Sequence, residues 1–251
     1  MSVPLSGLLL GGKVVAGGEW ITRDGRAWWK PGDYGTKRRM IGQPIDLVVG
    51  HWTAGEAGVR HMDDDGPFIF DVMRNRPSND PVLAAQGVKL KVSIHFVIGA
   101  DGTTWQTADP LTTTAIHVGM GAVNDRSIGV EIVSPGTGPM HPLRPRPTVR
   151  HRMLPTPKYP AGKPVAMRAY YPSQIEAWVR LVDLLCSRLP IPRQVPRGAD
   201  GGLEIDRFTK PEQRRWKGIQ EHFHVPTTLK RDAGTQLIGV LRDRGWPVVT
   251  P

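Results

Sequence analysis

The chain has a single cysteine, Cys186, among its 251 residues, which excludes an internal disulfide framework and any cysteine-rich zinc module. It also has no apolar run near the ~20 residues that a membrane span requires. Its first stretch, MSVPLSGLLLGGKVVAGG, offers only three consecutive leucines with no basic residue ahead of them, which is not the pattern of a secretory signal. The expectation is a protein without a signal peptide, made in the cytoplasm, with no membrane insertion. Acidic residues are in deficit, 23 against 33 lysines and arginines, for a formal charge of +10. Such a surplus favours acidic partners: nucleic acid, an anionic membrane surface or the polyanionic polymers of a bacterial wall. No aromatic-and-basic motif of a nucleic-acid binder accompanies it, so nucleic acid is not an expected partner.

What is present is enough for a core. A hydrophobic content of 39% over this length suits one large domain, and neither an internal repeat nor a second hydrophobic core divides it. IDLVVGHW, residues 45–52, is a short apolar run that predicts a buried central strand ending at His51. VSIHFVIGADGTTWQTA reads as a hairpin, with Val92, Ile94, Phe96 and Ile98 on one face and Asp101-Gly102 as the turn. SIGVEIV from residue 127 predicts a further strand. Residues 173–189 place Ile175, Trp178, Val179, Val182, Leu185 and Leu189 at helical spacing behind Ser173 as N-cap. A last helix is expected after Asp232, ending near Gly245. Residues 135–164 hold nine prolines and several arginines, which predicts a long loop, either bordering a cleft or merely wrapped over the surface. The class expected is therefore α/β, a single domain with a central mixed sheet flanked by helices.

Near the C-terminus, EHFHVPTTLKRDAG brings two histidines, a lysine and an aspartate together. On an extended strand His222 and His224 would share a face, and Lys230 and Asp232 would share one after Pro226. This is either half of a metal site or a polar surface loop with a lysine–aspartate pair.

Five motifs, VVGHWTAG, VSIHFVIGADGTTWQ, AIHVG, NDRSIGVEIV and HFHVPTTLKRDAG, occur in the order found in zinc-dependent N-acetylmuramoyl-L-alanine amidases of the type-2 family. The chain resembles that family, which includes phage endolysins, cytosolic cell-wall recycling amidases and peptidoglycan-recognition proteins, from about residue 45 to 240. The resemblance implies a catalytic domain over 45–251, with a Pro/Arg-rich insertion at about 135–170, and an extension over 1–44 packed on it.

Carried over, the family's zinc ligands fall on His51, His222 and Asp232. Two imidazoles and a carboxylate leave Zn2+ a net positive charge and an open position for water, whose pKa drops to about 7. His224 stands where the family usually has an acid, so it remains an alternative ligand; His222 is preferred because its ten-residue spacing to Asp232 matches the aspartate-ligand members. DAG replaces the common DPG, which affects turn stiffness rather than chemistry. Glu131 corresponds to the strand glutamate expected to act as general base, against the plainer reading of a glutamate on a solvated sheet face. Lys230 is the expected oxyanion-stabilising cation, or an ordinary surface lysine. Trp52 and Thr53 are expected to wall the cleft and His117 to contact substrate. Asn124 is expected to orient the peptide or simply to steady the turn before the strand, and His95 to be structural. The implied activity is hydrolysis of the amide between N-acetylmuramic acid and L-alanine of peptidoglycan or muropeptides, in a phage-type endolysin drawn to anionic wall polymers and released by holin-type lysis. The alternative is a non-catalytic recognition module of the same fold, and the presence of Asp232 favours the enzyme.

Overall fold

The computed structural model of the chain describes residues 5–33, 35–53, 66–78, 80–90, 92–134, 148–151, 165–203, 207–226 and 233–251. Among these, one sheet has seven strands. In chain order they are β1 (Leu5–Ser6), β2 (Ile21–Arg23), β3 (Leu47–Trp52), β4 (Phe96–Ile98), β5 (Thr104–Gln106), β6 (Ser127–Ile132) and β7 (Gly218–Glu221). Across the sheet they lie in the order β1-β2-β5-β4-β6-β3-β7. Strands β4, β6, β3 and β7 run parallel, while β5 is antiparallel to β4 and β1 to β2. The sheet is mixed, with helices packed against it, α1 (Gly66–Asn75) among them, as the α/β expectation requires.

The two longest strands are the central ones, and both of their faces are covered. Val48, Ile128, Val130, Ile132, Phe96 and Ile98 face the main core, where they meet helices α2 (Pro172–Arg188) and α3 (Gln236–Asp243) through Trp178, Leu181, Val182, Leu237 and Leu241. Leu47 and Val49 on the other face pack with Val118, Val123, Phe208 and Trp216. Near-continuous apolar runs rich in Val and Ile are what strands buried on both faces need. Side chains alternate along a strand, so His51 on β3 and Ser127, Gly129 and Glu131 on β6 belong to this second face. That face is thus apolar at one end and polar at the other, where the site lies.

Four details differ from the sequence reading. The N-cap of α2 is Tyr171, not Ser173. Pro172 takes the first helical position, where its fixed φ and missing N–H suit a helix start, and the Ser173 hydroxyl donates to the Ala100 carbonyl at 3.2 Å. The hairpin begins only at Phe96: Ile94 packs in a separate group with Val97, Ile69 and Val133, so the alternation does not extend back to Val92. Residues 5–23 do more than pack on the domain, since they add β1 and β2 to its sheet and Leu8, Leu10 and Ile21 to its core. Within the proline-rich stretch, Thr148–His151 pairs antiparallel with Val165–Arg168 as a ribbon outside the central sheet; the rest of 135–164 lies outside the described residues. Among the described residues no helix is long and apolar enough to cross a membrane.

Candidate functional site

The C-terminal ends of β6, β3 and β7 come together at one edge of the sheet, the place where parallel strands usually present their ligands. Glu131 is the register partner of His51, and Glu221 that of Gly50. The next residue, His222, therefore enters level with His51, and the two rings lie 4.5 Å apart between centroids at 63°. His51, His222 and Glu131 are all buried, at 3%, 2% and 6% exposure. Three residues from three remote segments thus share one enclosed corner.

His224 does not join them. His222–His224 form a 3-10 turn rather than a strand, and its tighter winding removes the two-residue alternation that would have aligned the rings. His224 Nδ1 accepts the Glu221 backbone N–H at 3.0 Å. Its ring lies against Phe223 and Phe208, with centroids 4.0 and 4.9 Å away. The expectation that the two histidines share a face is corrected here: one ring meets His51, the other sits among aromatics.

The polar atoms of His117 and Asn124, both expected at the substrate, meet partners within the protein. His117 Nδ1 is 2.9 Å from His51 Nε2, and His117 Nε2 is 2.9 Å from the Ser127 hydroxyl, so both ring nitrogens are engaged within the protein. Asn124 Oδ1 accepts the backbone N–H groups of His117 and Val118 at 3.1 and 3.0 Å, while its amide donates to the Val118 carbonyl at 3.0 Å. The asparagine steadies the loop, the second of the two roles open to it. Burial, first, and then the proximity of the other imidazoles and of the Arg39 guanidinium hold the His117 imidazole well below its ordinary pKa, which keeps it neutral. His95 accepts the Gly129 N–H at Nδ1 and bonds the Thr113 carbonyl through Nε2. Burial and the nearby Arg39 push its pKa down to about 3, so His95 is a neutral structural residue.

Thr53 ties the ends of β3 and β6: its hydroxyl donates to the Ser134 carbonyl and accepts the Ser134 N–H, both at 3.2 Å. Trp52 is half-buried and packs against the main core, on the face of β3 opposite His51. Lys230 and Asp232 lie outside the described residues. The residues that follow pack on the main-core face: Ala233 is fully buried and its carbonyl accepts the Tyr170 hydroxyl at 3.0 Å, and a Cβ on Gly234 would stand 2.9 Å from Met167 Sδ and 3.7 Å from Trp52 Cζ3.

Among the described residues no three His, Cys, Asp or Glu side chains are placed to hold a metal ion. Two imidazoles with adjoining rings, beside a buried carboxylate on the neighbouring strand, nonetheless fit the donor chemistry of zinc. Cys186 is not a candidate third ligand, since it packs at the edge of the main core and burial pushes its thiol up to about 12. Sequence reasoning missed Ser127. The available signal was period two along β6, which puts Ser127, Gly129 and Glu131 on the face of His51.

A family model described as N-acetylmuramoyl-L-alanine amidase matches residues 41–222. Solved structures with a similar fold include AmpD, at 18% identity over 88% of this chain and 94% of that one, with a TM-score of 0.47. A bumblebee PGRP-SA gives 14% identity over 92% and 98%, also at 0.47, and the Ph2119 endolysin from a Thermus scotoductus bacteriophage 16% over 90% and 99%, at 0.45. No curated relative matches.

Proposed function

The chain belongs to the N-acetylmuramoyl-L-alanine amidase family, and from that membership we propose that it hydrolyses the amide between the lactyl group of N-acetylmuramic acid and L-alanine of the peptidoglycan stem peptide. The observation that carries the reading is the meeting of His51, His222 and Glu131 at one buried strand edge. These are the positions at which the family's motifs place two metal ligands and a base.

His51, His222 and Asp232 would hold zinc, which when bound supplies an acidified water and a positive charge for the carbonyl oxygen. Glu131 takes the proton of the attacking water and passes it to the departing nitrogen as the C–N bond breaks. The products are a free lactyl carboxylate and a free N-terminal L-alanine. Lys230 places its ammonium at the carbonyl oxygen as negative charge builds there. Thr53, at the end of β3, is the candidate for substrate contact, since Trp52 packs against the main core on the opposite face.

The biological setting that suits this chemistry is a phage-type endolysin freed to the wall by holin-type lysis, with its +10 charge drawing it to anionic wall polymers. The deciding experiment is digestion of purified sacculi, followed by end-group analysis. New N-terminal L-alanine, lost on chelation and restored by zinc, is the expected result. Binding to sacculi without any such release would replace the enzyme by a recognition module of the same fold.

A further inference from the structure

Three residues outside the proposed ligand and catalytic set, Ser127, Gly129 and Asn124, converge on the His117 imidazole. His117 meets His51 edge-on, the rings 5.1 Å apart at 82°, with the 2.9 Å contact between His117 Nδ1 and His51 Nε2. Behind it the Ser127 hydroxyl stands 2.9 Å from His117 Nε2. The ring is there because β6 has no side chain beneath it: a Cβ on Gly129 would lie 2.7 Å from His117 Cγ and 2.8 Å from Nδ1, closer than real Cβ contacts come. Asn124 fixes the backbone from which the ring projects, through three hydrogen bonds to residues 117 and 118. Anchor, gap and clamp together define where His117 sits and how its ring is turned.

We propose that His117, steadied by Ser127, Gly129 and Asn124, is a positioning residue that fixes both the orientation and the tautomer of His51. This rests on the reading of His51 as a zinc ligand. A neutral imidazole donates through one nitrogen and accepts through the other, so the row His51–His117–Ser127 has two consistent states. In one, His117 Nδ1 donates to His51 Nε2, the His51 proton is on Nδ1, and no lone pair of that ring remains for a cation. In the other, His51 Nε2–H donates to His117 Nδ1, His117 Nε2–H donates to the Ser127 oxygen, and the His51 lone pair is on Nδ1. Only the second makes His51 a ligand. The row holds it in that state in the way that hydrogen-bonded partners of metal-ligating histidines generally do.

The test measures zinc affinity by competition with a chelating dye, alongside the ring-nitrogen NMR signals of His51 in zinc-free protein. The wild type should show protonated Nε2 on His51. His117→Phe, which keeps an aromatic ring and removes both nitrogens, should weaken zinc binding by roughly 10–100-fold and mix the two tautomers. Ser127→Ala should weaken binding less and in the same direction. His117→Gln, whose amide oxygen can still accept from Nε2, should restore part of the loss. Gly129→Ala, which displaces the ring without touching its chemistry, should resemble His117→Phe. Should His117→Phe fail to fold, Ser127→Ala and His117→Gln give the same comparison. Folded variants with unchanged affinity and an unchanged His51 tautomer would overturn the proposal. A wild type that binds no zinc would instead overturn the zinc reading, and the tautomer signals would still decide whether His117 orients His51.

Discussion

Glu131 and His51 are register partners on adjacent parallel strands, β6 and β3, and both are buried. Neighbouring positions on one sheet face hold two side chains at a separation that the backbone fixes rather than the side chains. Glu131→Gln keeps the shape and removes the basicity. It should leave zinc content and melting behaviour unchanged while slowing release of N-terminal L-alanine by about 100-fold or more, the scale of a lost general base. Cleavage near the wild-type rate would make Glu131 structural.

The rings of His222 and His224 separate at the 3-10 turn, and that separation predicts which one is needed for metal. Elemental analysis should find a single zinc in the wild type. His222→Ala and Asp232→Ala should lose it, while His224→Gln, altered among Phe208 and Phe223 and at the Glu221 backbone, should retain it. Retention in His222→Ala with loss in His224→Gln would reverse the assignment.

His95 predicts an acid limit to stability. Its pKa is about 3 in the folded protein, against 6.5 ordinarily, so the unfolded chain binds the extra proton first and folding is favoured less as pH falls. The contribution is complete above about pH 6.5 and is lost progressively down to about pH 3, by up to tenfold in the folding constant per pH unit. The groups that face it are the Arg39 guanidinium, which adds to the depression, and the His117 ring, with centroids 6.1 Å apart. Denaturant melts of zinc-free protein across this range should steepen with acid, and the slope should be smaller in His95→Gln. Parallel slopes would remove His95 as the cause.

Wall binding should depend on salt more than catalysis does. The screening length falls from about 10 Å at 0.1 M to about 3 Å at 1 M, and on the proposed reading it is the +10 charge, to which Arg144, Arg146, Arg150 and Arg152 of the proline-rich stretch contribute, that draws the chain to the wall. Sedimentation with sacculi should fall steeply over a salt series, while turnover of a small soluble muropeptide changes far less. Binding that persists at high salt would point to a shaped groove for saccharide or peptide instead.

The sequence disclosed those parts of the fold whose cause is local. LVVGHW and SIGVEI carry their own burial pattern, Asp101-Gly102 its own turn chemistry, and α2 its own periodicity. What it concealed depends on partners distant along the chain. The two- and three-residue strands at Leu5–Ser6 and Ile21–Arg23 have no pattern long enough to read; β2 holds its place by pairing with β5, and β1 by pairing with β2. Ser127 looks like the first residue of a strand until His117, ten residues earlier, is seen above it. Asn124 offers an amide fit for a peptide, and nothing in NDRSIG reveals that the backbone at 117–118 already occupies it. His222 and His224 are separated by a 3-10 turn, and the Phe208 ring against which His224 lies, with the Phe208 N–H that its carbonyl accepts, comes from outside the motif.

The order of strands also sets a timetable for synthesis. The corner that unites residues 51, 117, 131 and 222 is assembled from β3, β6 and β7, which neighbour one another in the sheet but are separated by long stretches of chain. Pairings between such remote segments close slowly. β7 is the last of them to be made, and His222 follows it directly. A nascent chain stalled before that point, or a fragment cut short of it, lacks both the second imidazole and the strand that delivers it. The corner therefore cannot exist until the chain has been made through His222, and on the proposed reading a product truncated before that residue would bind no zinc and release no L-alanine.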